Sequence, residues 1–257
     1  MTEEILECGE GFWSIRGSFR IGGIVNIGTQ CGLISRSDGS FVFLDSYTLP
    51  ESTLAQVNRI TGGPANVAAI INLHPFHTIH CEWMHRTFPA AKLYGTRRHH
   101  EKWPSLPWES SRCESGELAD HFGDLLEFSL PPGVALVCDD EAVHFSSVLA
   151  YHRASRTIHV DDTLSYLTAP FPVSLLPVTG RLDFHPTLAK ALEPRAGAAD
   201  EFRDWAIELG VDWSDAVRVA TAHNSVVEME RGQFPELLGA ALGRVSSVLD
   251  AHRRQYT

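Results

Sequence analysis

The chain has 257 residues, 44% hydrophobic and 21% charged, ordinary values for a globular protein able to bury one large core or two small ones. Its formal net charge of −11 argues against a nucleic-acid or membrane-surface binder, which would carry a basic patch; the pairs Arg97-Arg98 and Arg253-Arg254 are short and suit a solvated surface. Five cysteines without a CxxC fit a reducing compartment, the acidic opening MTEEILECGEGFW lacks a signal-peptide core, and no apolar run is long enough to span a membrane, so a cytoplasmic protein is expected.

Residues 10–46 alternate and are rich in β-formers, with Asp38-Gly39 between two apolar runs predicting a hairpin and Asp45 closing the second run. Residues 50–61 open with Pro50 and Glu51 and space Leu54, Val57 and Ile60 as a helix does, and Gly62-Gly63-Pro64 stops it. NVAAIINL then reads as a buried strand, CEWMHRTFP as a short helix ended by Pro89, and AKLYGT as a strand. Residues 96–121 read as irregular. LLEFSL and VALVCDD read as strands flanking Pro131-Pro132-Gly133, and VHFSSVLAYH, the turn RASR and TIHVDDTLSYL as a second hairpin. The proline-rich stretch 169–177 is expected to wrap the surface or cover a pocket. Helices are expected over about 186–193 and 198–210, a strand over AVRVATAHN, and an amphipathic helix over 234–252. With no repeats and no linker, this order implies mixed sheets with helices outside, in a single domain spanning 1–257.

Among 13 histidines, those at strand ends draw the eye, because a strand is rigid and the loop beyond it is free to converge on a site. His74, His77 and His80 follow the strand NVAAIINL, and Pro75 among them argues against a helix there. His144 opens VHFSSVLAY, Asp162 ends TIHVDD and His223 ends AVRVATAH. Imidazole and carboxylate groups brought together from separate segments suit a transition-metal site. His159 and Asp161, two apart on a strand, point to one face, opposite Asp162; His159 is expected to be a packed or surface residue and Asp161 an exposed turn residue or one that orients a ligand histidine. Cys81 and Glu82 are secondary ligand candidates, and Trp83, Trp103 and Trp108 either line a pocket mouth or pack in the core.

The ordered set IINLHPFHTIH, VHFSSVLAYHRASRTIHVDDTL and VRVATAHN, with Asp45 after FVFL, resembles the metallo-β-lactamase fold superfamily over about residues 20–225. That family's hallmark is a strand followed by His-x-His-x-Asp-His, then a later His, an Asp and a final His. The resemblance implies an α/β (α+β) protein, an αββα four-layer sandwich of two mixed β-sheets flanked by helices. It also implies a metal-dependent hydrolase of a small-molecule ester, thioester, lactone or phosphoester, with one or two zinc ions or else iron or manganese. Asp45 matches a structural Asp of the family. The motif departs from the pattern: Ile79 holds the place of its carboxylate, and either His74 or Pro75 takes the first position. The implied first cation would be held by His77, His144 and the catalytic Asp162, with His74 a fourth candidate, and a second by His80, His223 and Asp162. Loss of the carboxylate should weaken or abolish the second cation, and the alternative is a catalytically degenerate or redox member that binds a small ligand or metal without hydrolysis. A small-molecule substrate is the expected partner, with neither nucleic acid nor membrane, and the terminal amphipathic helix suits a homodimer. No Gly-x-Ser-x-Gly elbow supports a serine hydrolase.

Overall fold

The computed structural model describes residues 4–18, 20–21, 25–26, 28–166, 180–222 and 226–257, with residues 20–21 and 25–26 as backbone only. The stretch 169–177 and His223 lie outside the described residues.

The amino-terminal half alternates into β1 (Glu4–Glu7), β2 (Phe12–Gly17), the short pair β3 (Arg20–Ile21) and β4 (Val25–Asn26), β5 (Thr29–Ser35) and β6 (Phe41–Leu44). The β5–β6 turn is the expected one: Gly39 takes φ 83° and the Ser40 amide donates to Asp38 Oδ1 at 2.9 Å. Helix α1 (Glu51–Thr61) ends on Gly62 at φ 74°, and β7 (Val67–Asn72), α2 (Cys81–Thr87), β8 (Lys92–Gly95), α3 (Arg97–Lys102) and β9 (Trp108–Arg112) follow. The seven-stranded sheet runs β1-β2-β5-β6-β7-β8-β9, antiparallel as far as β6 and parallel from β6 to β9.

After α4 (Leu118–Phe122) come β10 (Leu126–Ser129), β11 (Leu149–His152), β12 (Thr157–Val160), β13 (Leu164–Tyr166), β14 (Leu182–Phe184), α5 (Leu188–Ala191), α6 (Ala198–Asp212), β15 (Arg218–Thr221), β16 (Val226–Glu228) and α7 (Phe234–Gln255). The second sheet is β10-β11-β12-β15-β16, with β12 and β15 parallel and the other pairs antiparallel.

Side-chain alternation explains the layering. Val42 and Leu44 of β6 and Ala69 and Ile71 of β7 meet Leu126 and Ala150 of the second sheet in the inter-sheet core. Phe41 and Phe43 of β6 face the other way, towards Val57 of α1 and Met84 of α2. On the far side Tyr151, Ile158 and Val160 pack against Phe202 and Leu209 of α6 and Leu238 and Ala241 of α7. The result is the expected four-layer αββα sandwich of two mixed sheets. The apolar face of α7 is buried largely within its own chain. Among the described residues no helix is long and apolar enough to cross a membrane.

Three local expectations need correction. Residues 96–121 are not irregular, because a capping box between Thr96 and His99 starts α3 and the chain then adds β9 and α4. VALVCDD is no strand: Gly133, at φ 70°, packs so closely on α6 that a Cβ there would stand 2.0 Å from the Ala198 carbonyl, and Val134 makes only an isolated bridge to Leu192. VHFSSVLAYH pairs as a strand only from Leu149, because its earlier amides are used elsewhere. Val148 N–H donates to Leu73 O, just past β7, at 3.1 Å, and Ser147 N–H to Thr163 Oγ1 at 3.0 Å. His144 therefore lies in an irregular segment and opens no strand.

Candidate metal centre

The parallel strands β6, β7 and β8 end at one edge of the first sheet, and β12 ends beside it in the second. At that edge the chain places carboxylates and imidazoles from three strand ends. Asp45, just past β6, takes φ 60°, a left-handed conformation uncommon for a residue with a side chain. Its Oδ1 accepts the Leu73 amide at 2.8 Å and the His74 amide at 3.3 Å, and its own amide donates to Ile71 O at 2.8 Å. Asp45 thus fixes the turn that leaves β7 and aims His74 inward.

Residues 73–80 form a loop before α2, so the three histidines do not share a helix face. His74 is fully buried and its Nε2 stands 3.3 Å from Asp162 Oδ2. His77 Nδ1 stands 3.2 Å from Asp161 Oδ2, and the His74 and His77 rings are 4.2 Å apart. One ligand atom from each of His74, His77 and Asp162 lies within 4.8 Å of the other two. Behind them Asp45, His159 and Asp161 form a second such group, all buried. There His159 Nε2 meets Asp45 Oδ2 at 2.9 Å. Gly32 makes room for that ring, since a Cβ there would stand 3.3 Å from His159 Nδ1.

Burial holds the His74 imidazole neutral, with its pKa down at about 3, and the neighbouring His77 adds to this. Burial alone would also lower His77, but the Asp161 carboxylate outweighs it and lifts His77 to about 9. Asp161 is correspondingly lowered by His77 in spite of its burial, whereas burial and the nearby Asp161 raise Asp45. Buried Arg16 bonds to Gln30 Oε1 at 2.6 Å and Thr221 O at 2.8 Å, and its positive charge favours ionised Asp161.

These residues fit a divalent cation. His74 Nε2 is shut off from solvent with no properly directed hydrogen bond among the described residues, and it faces the Asp162 carboxylate. Two ligands about 2.0–2.1 Å from a tetrahedral ion stand about 3.3–3.4 Å apart, and the His74–Asp162 separation is 3.3 Å. His77 is 26% exposed, so the side of the group nearest it faces solvent.

The other candidates are placed differently. His74, rather than the buried Pro75, presents its side chain to the group. His144 comes within 6.2 Å of the His74 ring, but its Nε2 is engaged with Glu141 O at 2.5 Å and its ring stacks on Phe76. His80 Nδ1 bonds to Thr48 Oγ1 at 2.8 Å and its ring sits edge-on to Tyr47. Neither belongs to the two groups just described. Ile79 is 62% exposed in the same loop, so no buried group takes the place of the motif carboxylate at that position. Cys81 is buried against Asn72 Oδ1 at 3.5 Å with its thiol pushed up to about 12, and Glu82 is exposed. The tryptophans pack on the outer core, and Trp103 braces the histidine loop by donating to Thr78 O at 2.7 Å.

Sequence reasoning undervalued His159 and Asp161. Asp161 is no exposed turn residue; it is 2% exposed and meets His77, the orienting alternative. The signal was present in the i, i+2 spacing, which puts His159 and Asp161 on the face that the second sheet turns towards Asp45.

No family model matches the chain, and no curated protein matches it. Solved structures do. A metallo-β-lactamase from Pontibacter korlensis is 12% identical with a TM-score of 0.60, over 97% of this chain and 99% of that one. One from Hirschia baltica is 13% identical with a TM-score of 0.59, over 97% and 98%. The mono-zinc form of the metallo-β-lactamase FIM-1 from Pseudomonas aeruginosa is 9% identical with a TM-score of 0.60, over 96% and 97%. Matching over nearly the full length of each chain, together with the αββα layering, shows that this chain has the metallo-β-lactamase fold.

Proposed function

We propose that this protein is a metal-dependent hydrolase in which His74, His77 and Asp162 hold a divalent cation, zinc in the first instance. The observation that carries the reading is the 3.3 Å approach of His74 Nε2 to Asp162 Oδ2 in a buried pocket where that nitrogen has no directed hydrogen bond. A cation bound there supplies a water of lowered pKa and polarises an acyl or phosphoryl oxygen. The chain's own residues do the rest. Asp161 takes the Nδ1 side of His77 and fixes ring orientation, leaving Nε2 as the other ligand nitrogen. Asp45 sets the backbone that carries His74. The buried Asp162 carboxylate is the group placed to hold and orient a water at the reacting centre. Small esters, thioesters, lactones and phosphoesters are the substrate classes that suit such a centre.

One observation favours a second reading, a site that keeps its side chains as a hydrogen-bond network and binds a small ligand without hydrolysis. The Phe76 amide donates to His74 Nδ1 at 3.2 Å, which places the ring proton of a neutral imidazole on Nε2, towards Asp162. Metal analysis of the purified protein with an esterase, thioesterase and phosphodiesterase screen separates the two. The hydrolase reading expects turnover that a chelator stops, that added zinc restores and that Asp162→Ala abolishes. Chelator-insensitive behaviour and no bound metal would leave the network reading standing.

A further inference from the structure

The rim of the site carries a second assembly that the metal centre does not use. Helix α3 follows its N-cap Thr96, the residue just past β8, at the same sheet edge as His74, and presents Arg98 over the Phe76 ring, with its guanidinium carbon 4.5 Å from the ring centroid. Phe76 in turn stacks on His144 at 4.3 Å with the planes 15° apart, and both rings lie about one ring-width from His74, at 5.9 and 6.2 Å. Glu141 closes the assembly: its Oε1 accepts from Arg98 Nη2 at 2.6 Å and its carbonyl engages His144 Nε2. Arg98 first, then Lys102 and His144, hold the Glu141 carboxyl below its ordinary range.

Three features set this apart from an ordinary surface ion pair. Arg98 is only 21% exposed whereas Glu141 is 72% exposed and sits in a turn, so the guanidinium is the fixed partner and the carboxylate the free one. Arg98 Nε is shut off from solvent with no hydrogen-bond acceptor among the described residues, so the inner side of the guanidinium is held by packing and its Nη2, on the exposed Glu141, marks the outer side. The chain as a whole carries a net charge of −11, yet here the guanidinium of Arg98 is held at the rim on Phe76, whose ring is next to His74.

We propose that Arg98 selects the substrate by receiving a carboxylate on it, and that Glu141 is an internal stand-in which the substrate displaces. The proposal rests on the hydrolase reading for the word substrate, and it narrows the substrate class to an anionic, carboxylate-bearing molecule whose flat or apolar portion lies against Phe76. The choice of carboxylate follows from what the guanidinium already holds. A carboxylate offers the planar pair of acceptors that the fork matches.

The test needs neither metal nor turnover. Benzoate and its neutral counterpart benzamide are titrated calorimetrically into chelator-treated, full-length protein. Wild type is expected to prefer benzoate, and Glu141→Gln to tighten benzoate about two- to fivefold, the scale of losing one exposed competing ion pair, with benzamide unchanged. Arg98→Gln should bring benzoate down to the benzamide level, and Arg98→Lys, which keeps the charge but loses the fork, should fall between. Equal affinity for the two probes in both wild type and Glu141→Gln overturns the proposal, as does a folded Arg98→Gln that keeps the preference. Should Arg98→Gln fail to fold, the Glu141→Gln comparison decides alone. A protein that shows the benzoate preference but no hydrolysis retains Arg98 as a carboxylate site and loses the hydrolase reading.

Discussion

Asp161 shows how one buried carboxylate governs a neighbouring imidazole. It is 2% exposed, stands 3.2 Å from His77 Nδ1 and lifts that ring's pKa to about 9. A cation on Nε2 must therefore displace the second proton of an imidazolium that Asp161 stabilises from the Nδ1 side, and in return gains a ring fixed in orientation. Asp161→Asn is expected to lower zinc affinity about 10- to 100-fold while leaving the fold intact, as loss of a carboxylate behind a ligand histidine does. Competition with a chelating dye reads this out, and unchanged affinity would mean that Asp161 serves only packing. At this scale the sequence was half legible. His74, His77 and Asp162 stood out by strand-end position, whereas His159 and Asp161 looked ordinary because their importance depends on Asp45, 114 residues from His159 in the chain. His144 drew attention by its place before a strand, but Val148 and Ser147 give their amides to Leu73 and Thr163, so that strand never reaches His144.

Elements with their own local signals were read closely. The β5–β6 hairpin follows from Asp38-Gly39, α1 from its spacing and its Gly62 stop, and α7 from its apolar stripe. Elements that depend on partners were missed. β9 exists because β8 offers it an edge, and VALVCDD is diverted by the packing of Gly133 on α6. The β11–β12 hairpin carries a titratable feature of its own. His152 ends β11, its Nδ1 contacts Ser155 Oγ at 2.8 Å, and burial lowers its pKa from 6.5 to about 4. Between those two values the unfolded chain takes up a proton that the folded one refuses, so stability falls as pH drops from 6.5 towards 4. His74, His80 and His99, also lowered by burial, act in the same direction. His152→Asn should flatten this dependence without removing it. Urea midpoints of the metal-free protein at pH 7.5 and 5 check this, and a slope equal to wild type would show that His152 is not a contributor.

At the scale of the whole molecule, the site depends on two sheets being held in register at one edge. Arg16 of β2 and Gln30 of β5 span the gap between them. Arg16 donates to Thr221 O of β15 at 2.8 Å, and Gln30 Nε2 donates to Val160 O at 3.2 Å and Ala220 O at 3.1 Å. Val160 ends β12 immediately before Asp161, and Ala220 and Thr221 are the last two residues of β15. Arg16→Ala should cost about 3 kcal/mol, the scale of removing one member of a buried, charge-assisted set, and should also loosen zinc binding; urea denaturation and the dye competition measure the two together. Stability loss with zinc affinity untouched would separate the seam from the site. The layered architecture was legible from the order of strands and helices together with the family resemblance, but this polar seam was not, since neither Arg16 nor Gln30 belongs to any local motif. The most direct test of the central claim is the metal content of the folded protein, measured by elemental analysis after exhaustive dialysis, for wild type and His74→Ala. About one tightly held divalent cation per chain, lost in a variant whose circular dichroism matches wild type, is the predicted result. No bound cation in the wild type, or the same content in both proteins, would contradict it.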